Sequence, residues 1–219
     1  MNRIILRYAT PIVIIILLIF AWVISRRLET GRQDVIPLVV AGVIVWVVGT
    51  AVFIWFWPRI TVGGFKRAIL RRGLGGGPIP VNTLYAVPGT ATPDSAGGSL
   101  MATGAEDLLY VGGWLDLREG AQVLHTPELT GRYYSVQLTD PATSANFAYV
   151  GTRATGSAAG DYLLTGPRWT GTVPDGMTRI AAPGTQALVI GRVFAADEAD
   201  LAEAYALAQQ LRLSPLRQR

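Results

Sequence analysis

The chain contains no cysteine, which excludes disulfides, thiolate metal ligands and a cysteine nucleophile. It has one histidine, His125, and one lysine, Lys66, against eighteen arginines. A metal centre draws on several histidines or on grouped carboxylates. The acidic groups here are Glu106-Asp107 and Asp197-Glu198-Asp200, and the second suits a helix start better than a cation. No metal or other cofactor is therefore expected. Acids are also scarce at the start of the chain. Residues 1–72 hold ten Lys or Arg and two acids (Glu29, Asp34), a net of +8, whereas residues 73–219 hold nine Arg and thirteen acids, a net of −4. The basic balance thus belongs to the N-terminal part, and the acidic remainder argues against a nucleic-acid partner.

Long apolar runs are what the N-terminal part does have. One spans Tyr8–Ser25 and a second Ile36–Trp57, neither containing a charge. A bilayer core of about 30 Å takes roughly 20 apolar residues as a helix, and only helices satisfy the backbone there. The sequence predicts two transmembrane helices, 8–25 and 36–57, joined as an antiparallel hairpin within 1–58. A cleaved signal peptide fits the first run less well, because Arg26-Arg27 stands where small residues would precede cleavage. Trp22, Trp55 and Trp57 fall near helix ends, as in an interfacial aromatic belt. Pro58 should end the second helix. In the basic segment that follows, Phe65, Ala68 and Ile69 share one helical face, and Lys66, Arg67, Arg71 and Arg72 are set for lipid headgroups. Residues 59–80 thus read as a basic interfacial segment followed by a Gly/Pro linker, GLGGGPIP at 73–80.

Residues 81–219 read as a β domain. Seven short runs, Leu109–Leu117, Gln122–Thr126, Tyr133–Asp140, Asn146–Val150, Asp161–Thr165, Thr178–Ala182 and Gln186–Phe194, are separated by Gly, Pro and Asp turn signals. That spacing points to a sandwich or barrel. Tyr134, Val136 and Leu138 alternate with polar neighbours, so their strand buries one face. Gln186–Phe194 is apolar on both faces and should be central. A closing helix at 197–212 carries the stripe Leu201, Ala204, Tyr205, Ala208 and Leu211, with Asp197 as N-cap and Arg212 at the negative end of the dipole.

Candidate sites are few. As a general base, His125 would need a nucleophile such as Ser135 and an orienting acid such as Asp140, and no nucleophile-elbow motif supports it. The Gly-rich stretch GTRATGSAAGD (151–161) carries Arg153 but lacks the P-loop pattern, and reads as a loop between strands rather than a phosphate cradle. Arg132, Arg153 and Arg192 read as structural ion pairs first and anion contacts second. Arg192 interrupts an apolar strand and needs a partner, for which Asp116 and Asp140 are candidates. Of Tyr110, Trp114, Tyr133, Tyr134, Phe147, Tyr149, Tyr162 and Trp169, most must be core, and exposed neighbours among them would mark a binding surface.

The blocks GWLDL (113–117), GRYYSVQLTD (131–140), the Gly-rich run 151–176, VIGRVF (189–194) and LRLSPL (211–216) resemble, in order and spacing, the bacterial domain-of-unknown-function 1254 family. The resemblance implies an immunoglobulin-like β-sandwich and an envelope location. It brings no agreed activity. One departure stands at 105–110, where the family's Asn-Arg-Asp-Thr-Leu-Tyr run is replaced by Ala105, Glu106, Asp107, Leu108, Leu109 and Tyr110.

The two orientation cues conflict. Basic residues flanking the runs favour a cytoplasmic domain, whereas the resemblance favours a domain outside the bacterial cytoplasmic membrane in a two-pass protein. The expected function is a non-enzymatic, membrane-anchored accessory or scaffold module, its sandwich docked on a larger membrane or envelope complex. The alternative is a lipid- or small-molecule-binding envelope protein, and a hydrolase built on His125 ranks last. Expected partners are membrane lipids and an integral-membrane or envelope complex.

Overall fold

The computed structural model describes residues 22, 25–26, 35–91 and 105–216. The chain forms two compact units, one up to Trp57 and one from Pro58. Helix α1, Val35–Arg72, contributes to both. Among the described residues it is the one helix long and apolar enough to cross a membrane. Between Val43 and Val48 every side chain is apolar and exposed, so no face is set apart for a protein core. The expected first span, 8–25, lies outside the described residues apart from Trp22 and Ser25, and with it the hairpin. In this unit Trp22 is exposed beneath the Arg26 guanidinium, Trp55 is exposed, and Trp57 stacks on Phe53.

Pro58 does not end the helix, which continues to Arg72. A proline inside a helix forfeits one hydrogen bond and crowds the preceding turn. The next three turns offset this by packing. Phe65 and Ile69 face the β domain rather than lipid headgroups, and Ile69 is buried with Leu74, Ile79, Val87, Tyr110 and Trp114. The expected interfacial helix and free linker are thus part of the second unit. The helix stops at Gly73, whose φ of +73° is the left-handed C-cap conformation. Its N–H donates to the carbonyls of Ala68 and Ile69.

The rest of the unit is a two-sheet β fold. Strands β1 (Leu84–Ala91), β2 (Ala105–Asp116), β4 (Tyr134–Thr139), β5 (Asn146–Gly151) and β8 (Gln186–Phe194) form sheet A in the antiparallel order β1-β2-β8-β4-β5. Strands β3 (Gln122–Thr126), β6 (Gly160–Thr165), β7 (Met177–Ala181) and β9 (Arg212–Pro215) form sheet B in the order β7-β6-β3-β9, with β6 and β7 parallel. One core lies between the sheets. Leu109, Val111, Leu115, Val136, Leu138, Val189 and Val193 enter it from sheet A, and Leu124, Tyr162 and Leu164 from sheet B. The alternation in β4 is as expected, with Tyr134, Val136 and Leu138 inward. Strand β8 is central, and its outward Leu188 and Ile190 pack under the end of α1.

Strand β1 and the tail strand β9 were not expected. The closing helix, α2, is shorter than 197–212, running Leu201–Ala208 with Asp200 rather than Asp197 in the N-cap position. Asp197 instead accepts a hydrogen bond from the Asp200 N–H at 3.0 Å. Ala204 and Ala208 are buried on the core, and Leu211 turns inward. Arg212 then enters β9 beside β3, where hydrogen bonds of the ladder replace those of another helical turn.

Candidate functional site

The end of α1 covers the outer face of sheet A over β1, β2 and part of β8. Across β4 and β5 the same face is uncovered by any of the described residues. Here Ser135 pairs with Arg192 on one side and Gly151 on the other, and Gln137 pairs with Ile190 and Tyr149. Period-2 alternation places Ser135, Gln137 and Arg192 on the face opposite the core. With Tyr133, Tyr149, Arg153 and Ala154 they line an open cleft of about 450 Å³.

Two guanidiniums give the cleft its chemistry. Arg192 lies over the Tyr110 ring, 5.7 Å from its centroid, and donates to the Gln137 carboxamide oxygen at 3.2 Å. Arg153 lies over the Tyr133 ring at 5.4 Å. Neither meets Asp116 or Asp140, and neither forms a salt bridge within the described residues. Cation–π seating holds each planar cation without neutralising it. Tyr149, 49% exposed, completes an aromatic wall. Of the eight aromatics singled out in the sequence, Tyr133 and Tyr149 meet here, while Tyr110, Trp114, Tyr134 and Tyr162 are buried.

The Gly-rich loop beside the cleft is not a backbone phosphate cradle. The N–H groups of Ala154, Thr155 and Gly156 all donate to the Gly151 carbonyl, at 2.9, 2.8 and 3.1 Å. An anion in the cleft would meet side chains, not these amides.

The other singled-out charges are structural. Arg132 makes a bidentate pair with Asp200, 2.6 Å on each arm, and donates to the Phe194 carbonyl at 2.7 Å. It ties the start of α2 to the end of β8 and is not free for a ligand. The Asp200 carboxyl is pulled down to about 2, first by the Arg132 hydrogen bond and then by the Ala196 N–H. A carboxyl depressed below its ordinary value of about 3.9 adds stability that is complete above that pH and lost on descent through the folded value. Urea midpoints of the wild type should therefore fall between about pH 4 and 2 more steeply than those of Asp200→Asn, which should be less stable at pH 7.

Asp116 is held by Arg118, which hydrogen-bonds it through the guanidinium and lowers its pKa. It also accepts from Gln186 at 3.2 Å. Gln186 in turn accepts from the Lys66 ammonium at 3.0 Å, and that ammonium lies 5.3 Å from the Trp114 ring centroid. Lys66, expected at the headgroups, is thus spent on the β domain. Arg67, Arg71 and Arg72 remain exposed. Asp140 caps its own turn, accepting from the Ala142 N–H at 3.1 Å and the Thr143 hydroxyl at 2.7 Å.

His125 is near neither Ser135 nor Asp140 in the network it forms. On the outer face of sheet B its Nδ1 lies 2.6 Å from the Asp161 carboxylate and its Nε2 2.7 Å from the Ser214 hydroxyl. Sequence reasoning missed both partners because each depends on strand pairing. Asp161 stands opposite His125 across β3 and β6, and Ser214 comes from the unforeseen β9. Among the described residues no group of three or more His, Cys, Asp or Glu could hold a metal ion.

A family model described as a protein of unknown function, DUF1254, matches residues 81–215. No curated protein matches the chain. The VPA0106 protein from Vibrio parahaemolyticus, known from a crystal structure, is similar at a TM-score of 0.54 and 17% identity, over 72% of this chain and 38% of that one. A putative uncharacterized protein from Burkholderia cenocepacia aligns at a TM-score of 0.37 and 16% identity, over 52% of this chain and 31% of that one. The likeness to the Vibrio protein is one of fold, and the present chain spans well under half its length.

Proposed function

The chain belongs to the DUF1254 family, and from that premise we propose that it is a membrane-anchored binding module whose β domain takes a small anion in the Arg153–Arg192 cleft. The observation that carries this reading is the pair of guanidiniums, each laid on a tyrosine ring and neither matched to a carboxylate among the described residues. A carboxylate or phosphate monoester beside an aromatic group fits both walls. Arginine offers such anions two parallel donors, and Tyr133 and Tyr149 offer ring faces. In this reading the chain crosses the bacterial cytoplasmic membrane twice, and an immunoglobulin-like sandwich presents the cleft on the extracytoplasmic side. The apolar length of α1 supports one of the two crossings, and the family resemblance favours the extracytoplasmic side.

Purified in detergent, the chain should bind benzoate or inorganic phosphate, seen by calorimetry or as a raised melting temperature. Arg192→Gln and Arg153→Gln should each weaken binding about tenfold or more, since a hydrogen bond to a charged group contributes roughly 1.5–3 kcal/mol. Arg179→Gln should leave it unchanged, because Arg179 sits away from the cleft over Trp169. Equal affinity in all four proteins would overturn the reading.

A second reading, an accessory subunit docked on a larger membrane or envelope complex, is favoured by α1. Its apolar side chains from Val43 to Val48 are exposed on every face, open to other helices as well as to lipid. Mild-detergent extraction from the native membrane separates the two readings. Stoichiometric co-eluting subunits favour docking, and their absence favours the ligand.

A further inference from the structure

We infer that Ser214, His125 and Asp161 form a second, chemically active site, in which His125 activates the Ser214 hydroxyl as a nucleophile toward small polar carboxylic esters. It lies on the outer face of sheet B and is independent of the anion cleft on sheet A.

The three side chains come from three adjacent strands. His125 on β3 pairs in register with Asp161 on β6 and with Arg212 on β9, and Ser214 follows Arg212 by two residues on the same face. The order of contacts gives the group its chemistry. A carboxylate accepts only, so at 2.6 Å from Asp161 the Nδ1 of His125 carries the proton. In the neutral imidazole the lone pair is then on Nε2, which accepts from the Ser214 hydroxyl 2.7 Å away. This is the nucleophile–base–orienting acid sequence of acyl-transfer sites, recognised by geometry rather than by chain order.

A small cleft adjoins the His125 and Asp161 end of the row, and Ser214 stands beside its lining rather than within it. His125 and Asp161 are partly open to solvent, 24% and 44% exposed at the side chain. Together with Thr126, Gln209, Gln210 and Arg212 they border a cleft of about 400 Å³ with mainly polar walls. The Arg212 backbone pairs with β3, while its guanidinium makes no hydrogen bond or ion pair among the described residues and is available to a developing oxyanion or to an anionic group on the substrate. Below this end of the face the sheet is dry, with Val123 and Leu163 buried beneath Trp169 and Val173.

The reaction balances without a cofactor. Ser214 Oγ bonds to the ester carbonyl carbon as its proton passes to His125 Nε2. The tetrahedral alkoxide re-forms the carbonyl, the bond to the leaving alcohol breaks, and that alcohol takes the proton from Nε2. Water repeats the sequence on the acyl-serine, giving acid and free Ser214. Asp161 acts as a positioning residue, holding the imidazole in the reactive tautomer.

The test uses the full chain in detergent with two probes, a fluorophosphonate and p-nitrophenyl acetate. Expected results are phosphonylation of Ser214 with loss of fluoride, located by peptide mass spectrometry, and ester hydrolysis lost to the same extent in Ser214→Ala and His125→Ala. Asp161→Asn should slow Ser214 labelling by about 10²- to 10⁴-fold. Asp161→Glu should recover much of that rate at a melting temperature matched to Asp161→Asn, which separates positioning from folding. The inference is overturned if Ser214 is unlabelled in protein that melts like the wild type. It is equally overturned if His125→Ala labels and hydrolyses at the wild-type rate, leaving the three as a structural row.

Discussion

Replacing Trp114 by alanine should cost the second unit about 3–5 kcal/mol, the usual range for truncating a fully buried large aromatic. For a unit of this size that is a fall in melting temperature of roughly 10 °C. Trp114 is 1% exposed and packs in the cluster that joins Ile69, Leu74 and Ile79 to the outer face of sheet A. Its loss opens a cavity where the chain from Phe65 to Ile79 is held down. The Lys66 ammonium also loses its ring face, though it keeps its bond to Gln186. Trp114→Phe should cost much less. The indole Nε1 is buried without a hydrogen-bond partner, so removing it leaves no new orphan and relieves an unmet donor. Lys66→Met, which keeps the stem and drops the charge, should cost about 2 kcal/mol, the scale of one cation–π contact plus the hydrogen bond to Gln186. Thermal unfolding of the full chain in detergent, followed by far-ultraviolet circular dichroism, ranks the three. If Lys66→Met destabilises as much as Trp114→Ala, charge rather than packing holds this segment.

Trp114 also marks where local sequence signals stop. Strands with one-sided alternation, such as Tyr134–Thr139, were legible because period 2 needs only their own residues. The apolar run 36–57 was legible through its length alone. The segment 59–80 is ambiguous in the sequence because Phe65 and Ile69 make the same stripe whether they face headgroups or a sheet, and the sheet is formed by residues far along the chain. The same limit hid the site chemistry. Arg192 reads as a charge in need of an acid, yet it is satisfied by a ring and an amide brought alongside by β2 and β4. The partners of His125 lie 36 and 89 residues away, and no local pattern specifies the pairing of β3 with β6 and β9. Arg132 pairs with Asp200, an acid that in the sequence reads only as a charge suited to a helix start.

Gly151→Ala tests whether the anion cleft depends on the backbone beside it. Gly151 ends β5 with φ +139°, a conformation that L side chains rarely adopt, costing about 1–3 kcal/mol in strain alone. A Cβ there would stand 2.4 Å from the Tyr134 carbonyl oxygen and 2.8 Å from the Ser135 Cα, both backbone atoms of β4. No rotamer change relieves that contact, so β5 must move away from β4. The loop would move with it, because the Gly151 carbonyl gathers the N–H groups of Ala154, Thr155 and Gly156 and so fixes where Arg153 projects. Two losses are therefore expected together. The unit should unfold at a lower urea concentration, and affinity for benzoate or phosphate should fall at least as far as in Arg153→Gln while Arg192 is still present. Gly156→Ala separates the two effects. It shares the positive φ, +91°, but nothing lies within 4 Å of an added Cβ, so it should carry the strain and spare the cleft. Unchanged anion affinity in Gly151→Ala, at full folding, would mean that Arg153 reaches the ligand whatever the strand beneath it does, so that the Gly151 carbonyl does not set its position.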